Sequence, residues 1–463
     1  MKKQRMSMAS PVRWIDVAEL KRLLVLMIPL YIGNLMHMGM GVVDTIVAGR
    51  AGTSELAGVA LGVSVAAPIT VAIGMVLTIV GPIISRYRGA GYESKVGLLL
   101  NNARYAAAIL LVVMLLALYG TTFAFDYVTD DAALAEKARH YVCYIMLGAP
   151  AILLMRLAQG NFEGYGQTRP AMLIAFFGLL LNIPLDFALV FGWWGVPAMG
   201  GPGCGLATAI IHWMMCAGMY GIMLGSRHRT RTLQMWSHRA VEPGMVRAVF
   251  RLGVPLGVAS LCEMTFFSAV VLVIAPLGEL MVSAQQVAIN VSGVIFMLPL
   301  SLGIAGSIRA SYHLGARDSV RFDAMVRTLL VLAFSLVLVF MVATLLMRRE
   351  IVELYTDSQP VVATAGVLLF YCAVYQIPDA LQVVMSGLLR GCHDTTVITW
   401  VSLGSYWLVG FPLSCILIRT DWLVPAMGPA GAWISFIIAL SIAAVFFTLR
   451  FLSTRRRVFQ RSK

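Results

Sequence analysis

Four carboxylates sit in stretches where a charge is costly. Of the 22 Asp and Glu residues, Asp44, Asp186, Glu263 and Asp379 fall inside long apolar runs. A charge there is unfavourable by at least a few kcal/mol, so a functional role is the default reading. Asp379 has the most telling surroundings, Tyr371-Cys-Ala-Val-Tyr375-Gln-Ile-Pro378-Asp379. Tyr375 and Asp379 are four apart and share a helical face. Pro378 has no N–H and leaves the carbonyl of Val374 without its helical partner. Carboxylate, phenol and freed carbonyl together make an oxygen-rich site for a small hard cation; a mere kink is the competing reading.

Asp186 has similar chemistry, because Asn182 shares its face and Pro184 frees the carbonyl of Leu180. Glu263 lies near the middle of its run, far from any interface. Asp44 lies near the end of its run, where interfacial solvation competes with a functional role. His37 precedes Glu263 by 226 residues; a lone His on an apolar helix reads as a core donor rather than a proton shuttle. Removing a carboxylate from water disfavours its charged form, and bound Na⁺ restores it. Such an acid holds H⁺ or Na⁺ in mutual competition, and exchange follows if ion and substrate favour different conformations.

The elements that position these acids are apolar helices. The chain is 59% hydrophobic and 12% charged, against about 25% charged in soluble domains. Runs long enough to cross a bilayer recur near 23–48, 57–82, 103–123, 141–160, 170–192, 204–224, 252–276, 284–308, 327–347, 363–387, 396–418 and 430–449. The fold class is an all-α polytopic membrane protein. Val-Pro-Ala-Met-Gly occurs at 196–200 and again at 424–428, and Pro29/Pro255, Gly89/Gly315, Thr168/Thr395 and Pro184/Pro412 repeat at offsets of 226 to 228. The twelve helices therefore form two pseudo-symmetric six-helix lobes. An even number of spans per lobe makes this a parallel repeat about the membrane normal.

The expected divisions are a cytoplasmic tail (1–22), an N-lobe (23–224), a cytoplasmic linker (225–251), a C-lobe (252–449) and a basic cytoplasmic tail (450–463). Placing both termini inside puts 29 of the 35 Lys and Arg on the cytoplasmic side. The net charge of +13 then reflects topology and anionic lipid rather than nucleic acid. The basic start and following apolar run resemble a signal peptide, but the run is too long and reads as a retained helix.

No G-x-x-x-x-G-K-[ST], H-E-x-x-H or G-x-S-x-G occurs, so no ATPase subunit is required and no enzyme is indicated. Uphill movement would draw on an ion gradient. The 27 Met and 10% aromatic content suit a cleft for flat lipophilic cations, and equally suit ordinary helix packing. Ser64, Gln285, Gln286 and Asn290 are candidate substrate hooks, or else polar glue between helices.

Jointly, Ile28-Pro29, Val43-Asp44-Thr45, Asn182-Ile-Pro184, Gln285-Gln286-Val-Ala-Ile-Asn290, Tyr375-Gln376-x-x-Asp379 and Gly387-x-x-Arg390-Gly391-x-x-Asp394-Thr395 resemble the multidrug and toxic compound extrusion (MATE) transporters, nearest the bacterial NorM-type branch. The resemblance implies export of organic cations in antiport with Na⁺ or H⁺ across the bacterial inner membrane, and thus antibiotic resistance. It implies a C-lobe cation site at Glu263, Tyr375 and Asp379, with Na⁺ possible at Glu263 and Asp379. It implies an N-lobe cation-coupling set of Asp44, at the outer end of the first helix, with Asn182, Asp186 and Thr208. A lipid-linked oligosaccharide flippase of the same superfamily is the alternative; no Lys or Arg falls clearly mid-span to hold its pyrophosphate. An intramembrane enzyme is a further alternative, against which the duplication argues.

Overall fold

In a computed structural model, residues 15–225, 235, 241–422 and 424–460 are described. Twelve helices among them are long and apolar enough to cross a membrane: α1 Val17–Ala51, α2 Thr53–Gly89, α3 Lys95–Tyr127, α4 Ala132–Gly164, α5 Arg169–Phe191, α6 Gly203–Gly225, α7 Pro243–Leu277, α8 Glu279–Gly315, α9 Ser319–Leu346, α10 Gln359–Gly391, α11 Thr396–Arg419 and α12 Pro429–Gln460. Most outrun the apolar stretches that announced them, because hydropathy marks only the hydrocarbon-crossing part of a helix. Asp16 caps α1, its carboxylate accepting from the N–H groups of Ala18 and Glu19. Residues 17–22, 243–251 and 450–460, expected as tail or linker, continue the spanning helices α1, α7 and α12. The remainder of the expected N-terminal tail (1–14), most of the linker (226–234 and 236–240) and residues 461–463 lie outside the described residues.

Helix pairing repeats between the halves. In the first, α1 packs on α5, α2 on α4, α3 on α4, α4 on α6 and α5 on α6; in the second, α7 packs on α11, α8 on α10, α9 on α10, α10 on α12 and α11 on α12. Backbone geometry repeats as well. The left-handed or otherwise positive-φ residues Gly52, Gly91, Gly166 and Gly200 are matched by Gly278, Arg317, His393 and Gly428, at the same offsets of 226 to 228. The drift within the repeat has a local cause. Between Thr168/Thr395 and Pro184/Pro412 the second half gains one residue, and α11 contains a π-helical stretch at Leu403–Gly410. A π turn is how a helix absorbs an inserted residue without breaking.

The halves meet through a two-fold-like seam. Helix α2 packs on α7 as α8 packs on α1, and the end of α2 crosses α8. Gly253 and Gly257 bring α7 onto α2; a Cβ on either would lie 2.1 Å from the Val76 carbonyl oxygen or 2.5 Å from that of Ala72. Close backbone approach is what small residues provide between helices in lipid. Across the seam Ser85 Oγ donates to the Ile308 carbonyl at 2.8 Å and Asn34 Nδ2 to Ser301 Oγ at 3.2 Å. Apart from Asn34 at the midpoint of α1, these contacts lie in the half of each helix nearest the chain termini.

Candidate functional site

All four intramembrane acids are drawn into two sites, one per half. In the first half Asp44 comes from α1, Asn182 and Asp186 from α5 and Thr208 from α6. Asn182 Nδ2 donates to Asp44 Oδ1 at 3.3 Å, Thr208 Oγ1 donates to Asp44 Oδ2 at 3.0 Å, and the Asp186 carboxyl lies against that of Asp44. Asp186 is fully buried, and neither of its oxygens has a hydrogen-bond partner of ordinary geometry. Asp44, close to the end of its apolar run, is also buried, which removes interfacial solvation as its explanation. The Asn182 carbonyl oxygen is likewise buried and unpartnered. Orphaned acceptors around two carboxyls fit a proton or a small cation.

In the second half Glu263 comes from α7, and Tyr375 and Asp379 from α10. Tyr375 interacts with Asp379 one turn along, and Glu263 is near enough to both to act on them electrostatically. Asp379 is 3% exposed and its Oδ1 has no partner. Aromatic rings enclose the site: Tyr375 packs edge-on to Trp433 with centroids 5.4 Å apart, and Phe436 lies 6.4 Å away. Helix α10 runs unbroken through Pro378, as α5 does through Pro184, so both prolines sit inside helices, one residue before Asp379 and two before Asp186. Among the described residues no group of three His, Cys, Asp or Glu is arranged for a metal. Each site therefore offers two carboxyls, and Na⁺ would need neutral oxygens to complete its shell.

Glu263 and Tyr375 also line a cavity of about 440 Å³. Its walls are largely Met75, Met264, Met297, Phe267, Phe296 and Trp433, with Ser260, Ser292, Gln382 and Ser386 as polar points. Thioethers and aromatic faces on this scale suit flat, lipophilic cations. None of the four expected hooks lines it. Gln285 is buried, its Oε1 accepting from Trp433 Nε1 at 3.0 Å, and is interhelical glue. Gln286 bonds Asn290 on its own helix at 3.3 Å, and the Ser64 hydroxyl donates to the Leu61 carbonyl. Gln286 and Ser64 lie about one and two turns beyond the lining residues Ile289 of α8 and Val71 of α2, and Asn290 falls between the lining residues Ile289 and Ser292 without lining the cavity itself. Hydropathy could not place them, because a polar residue in an apolar run does not reveal which face it occupies.

Arg390, in the last turn of α10 rather than mid-span, nevertheless lines the cavity. The apolar run ends at 387, so hydropathy alone puts this last helical turn in a loop. Arg390 Nε donates to Ser307 Oγ at 3.3 Å, and Glu163 on α4 offsets its charge.

Twelve membrane-spanning helices in duplicated sets of six, with enclosed acids beside a central cavity, define a secondary-transporter architecture. The MatE family model matches residues 29–188 and 255–416, two segments that begin 226 and end 228 residues apart, in register with the repeat. The chain is 38% identical over 435 residues to multidrug resistance protein NorM of Photobacterium profundum, spanning 93% of this chain and 95% of that protein. It is 36% identical over 433 residues to multidrug resistance protein MdtK of Proteus mirabilis, spanning 93% and 94%. The solved eukaryotic MATE transporter AtDTX14 superimposes with a TM-score of 0.84 at 19% identity, covering 96% of this chain and 99% of its own. An outward-facing multidrug resistance MATE transporter gives 0.82 at 19%, covering 95% and 97%. The chain belongs to the MATE family and is a NorM-type member.

Proposed function

We propose that this protein exports cationic, amphipathic compounds from bacteria by exchange with Na⁺ or H⁺, its two six-helix lobes (23–224 and 252–449) alternating between inward and outward openings. Both termini lie in the cytoplasm in this reading, and the energy comes from the ion gradient without an ATPase subunit. Relatives named for multidrug resistance support the substrate class. The observation that carries the mechanism is the C-half site: Glu263 and Tyr375 belong at once to the oxygen cluster around Asp379 and to the wall of the apolar cavity.

A cationic substrate entering the cavity meets the carboxyls in their charged form. A bound ion neutralises the same carboxyls and removes that attraction. Each ligand thus lowers the affinity for the other by an equal factor. Ion entry from outside releases the substrate, and substrate entry from inside displaces the ion. The N-half site holds a second pair of carboxyls away from the cavity, where Asp44, Asn182, Asp186 and Thr208 tie α1, α5 and α6 together. Ion occupancy there changes how those three helices pack, which biases the lobe rather than competing for substrate.

The test is efflux of a fluorescent cationic dye from vesicles under an imposed Na⁺ gradient, then under a pH gradient alone. One of the two is expected to drive efflux and thereby name the ion; if neither does, antiport is wrong. Arg390 at the cavity favours the rival reading, a flippase for lipid-linked oligosaccharides. A lipid pyrophosphate that competes with dye for the cavity would support that reading.

A further inference from the structure

We propose that a basic pocket at the terminal end of the bundle binds the phosphate of an anionic phospholipid headgroup and so bridges the two halves. The pocket encloses about 420 Å³. Lys21 and Arg22 reach it from α1, Arg88 from α2, Arg309 and His313 from α8, and Arg321 from α9. The first three belong to one half and the last three to the other, so a bound anion touches both sides of the seam.

Protein carboxylates neutralise this cluster only in part. Glu19 lies buried beneath it, accepting from Arg22 Nη1 at 2.7 Å and from Arg309 at 2.7 to 3.0 Å. Asp318 meets Arg321 at 3.4 Å on the rim. Arg88 has no carboxylate partner among the described residues. Its Nη1 donates to the Gly164 carbonyl at 2.8 Å, its guanidinium lies 4.7 Å from the Tyr165 ring and 5.9 Å from that of Tyr312, and its Nε is buried without a hydrogen-bond partner. Lys21 makes no hydrogen bond or ion pair among the described residues. Two acids for five Lys and Arg leave a cationic surplus, in which Arg88 is held by a backbone carbonyl and aromatic faces and Arg309 lies 5.3 Å from the Tyr312 ring.

The pseudo-symmetric position shows why the pocket is open on this side. The loop after α4 supplies Gly166, which has no side chain, and the uncharged Gln167. The loop after α10 supplies His393, whose Nδ1 meets Arg86 at 3.0 Å, and Asp394, which pairs with Arg450 at 2.7 Å. One loop brings its own ring and carboxylate; the other leaves space and positive charge. One edge of the pocket is apolar, where Val25 (45% exposed) lies over the buried Leu26 at the start of the membrane-crossing part of α1. That edge suits a phosphate carried on acyl chains better than one dissolved in water, and basic pockets between helices are how membrane proteins hold anionic headgroups. Occupancy favours the arrangement seen here, in which the halves are joined at this end.

The test uses the full chain in nanodiscs of phosphatidylcholine with a minor share of phosphatidylglycerol, and native mass spectrometry of the lipid it retains. Wild-type protein is expected to retain phosphatidylglycerol preferentially. The exposed rim changes Lys21→Gln and Arg321→Gln should each weaken that preference about fivefold. Lys95→Gln with Arg456→Gln removes two charges at the same end outside the pocket and should leave it unchanged. Equal loss in that control would overturn the site, reducing the effect to general surface charge, as would the absence of any preference in wild type. Inorganic phosphate at millimolar concentration should not displace the lipid; if it stabilises the detergent-solubilised protein against heat as well as phosphatidylglycerol does, the lipid assignment falls.

Discussion

The two acid sites invite comparison because the scaffold around them is duplicated and they are not. The repeat carries Asp186 onto Ser414, Asp44 onto Val270 and Glu263 onto His37. Where the first half has carboxyls between α1, α5 and α6, the second has the aromatic stack of Phe266, Tyr406 and Phe436, with ring centroids 5.6 and 5.3 Å apart, and a hydrogen bond between Ser414 and Ser435. Duplication supplied two equivalent bundles, and each grew its acids on different helices. The N-half site is sealed, and both Asn182 and Thr208 donate to its Asp44 carboxyl. The C-half site opens onto the cavity. An ion in the C-half site meets the substrate directly, whereas one in the N-half site acts through helix packing.

That contrast can be broken by experiment. The largest effect is expected from Asp379→Asn, which removes the most enclosed acid of the cavity-facing site: dye efflux from vesicles should fall to background while expression and thermal unfolding stay near wild type. Retained efflux would remove Asp379 from the mechanism. Glu263→Gln should weaken equilibrium binding of a cationic dye and also blunt its displacement by Na⁺ or by acid. Asp186→Asn should do only part of this, leaving dye affinity intact while lowering ion-driven efflux. Should Asp186→Asn and Glu263→Gln weaken dye binding equally, the distinction between a sealed and an open site is lost. Thr208→Val tests the support of the sealed site. Removing one hydroxyl that orients Asp44 should weaken ion dependence about 10- to 100-fold, as loss of an orienting hydrogen bond does around bound ions, with no change in dye affinity.

How much of this was legible beforehand follows from what a sequence records. Repeated strings and apolar lengths gave twelve helices and two equivalent lobes, because hydrocarbon thickness fixes span length. The acids stood out because carboxylates in lipid are rare. Asn182 and Asp186 could be paired from their four-residue spacing, and so could Tyr375 and Asp379. The meeting of α1, α5 and α6 at Asp44 came from the family resemblance and not from spacing, since spacing along one helix says nothing about which helices touch. The same limit hid Arg390 at the cavity and left Gln285 open between substrate hook and interhelical glue, where its amide oxygen accepts from Trp433. The π turn at Leu403–Gly410 was written in the drift from 227 to 228, but a one-residue drift does not say whether a loop or a helix absorbs it.

A smaller effect separates the loops that follow α4 and α10. Asp394 accepts from Arg450 Nε at 2.7 Å and Thr454 Oγ1 at 2.6 Å, fastening the loop to α12; its counterpart is Gln167. Partial burial alone would raise the Asp394 carboxyl, but hydrogen bonds from Arg450 and Thr454 outweigh it and hold the group below its ordinary 3.8. A carboxylate stabilised in the folded state contributes above its unfolded value, and the contribution disappears as pH falls through the lower folded value. Asp394→Asn should therefore lower the thermal midpoint at pH 7 by about 2 °C, the pair being part-exposed and weak. The gap between variant and wild type should close below pH 3.8. Gln167→Ala, at the matching position with no carboxylate to lose, should show no such pH-dependent gap. A gap of the same size and pH profile in both variants would mean that general loop packing, and not this ion pair, holds the two corners of the bundle.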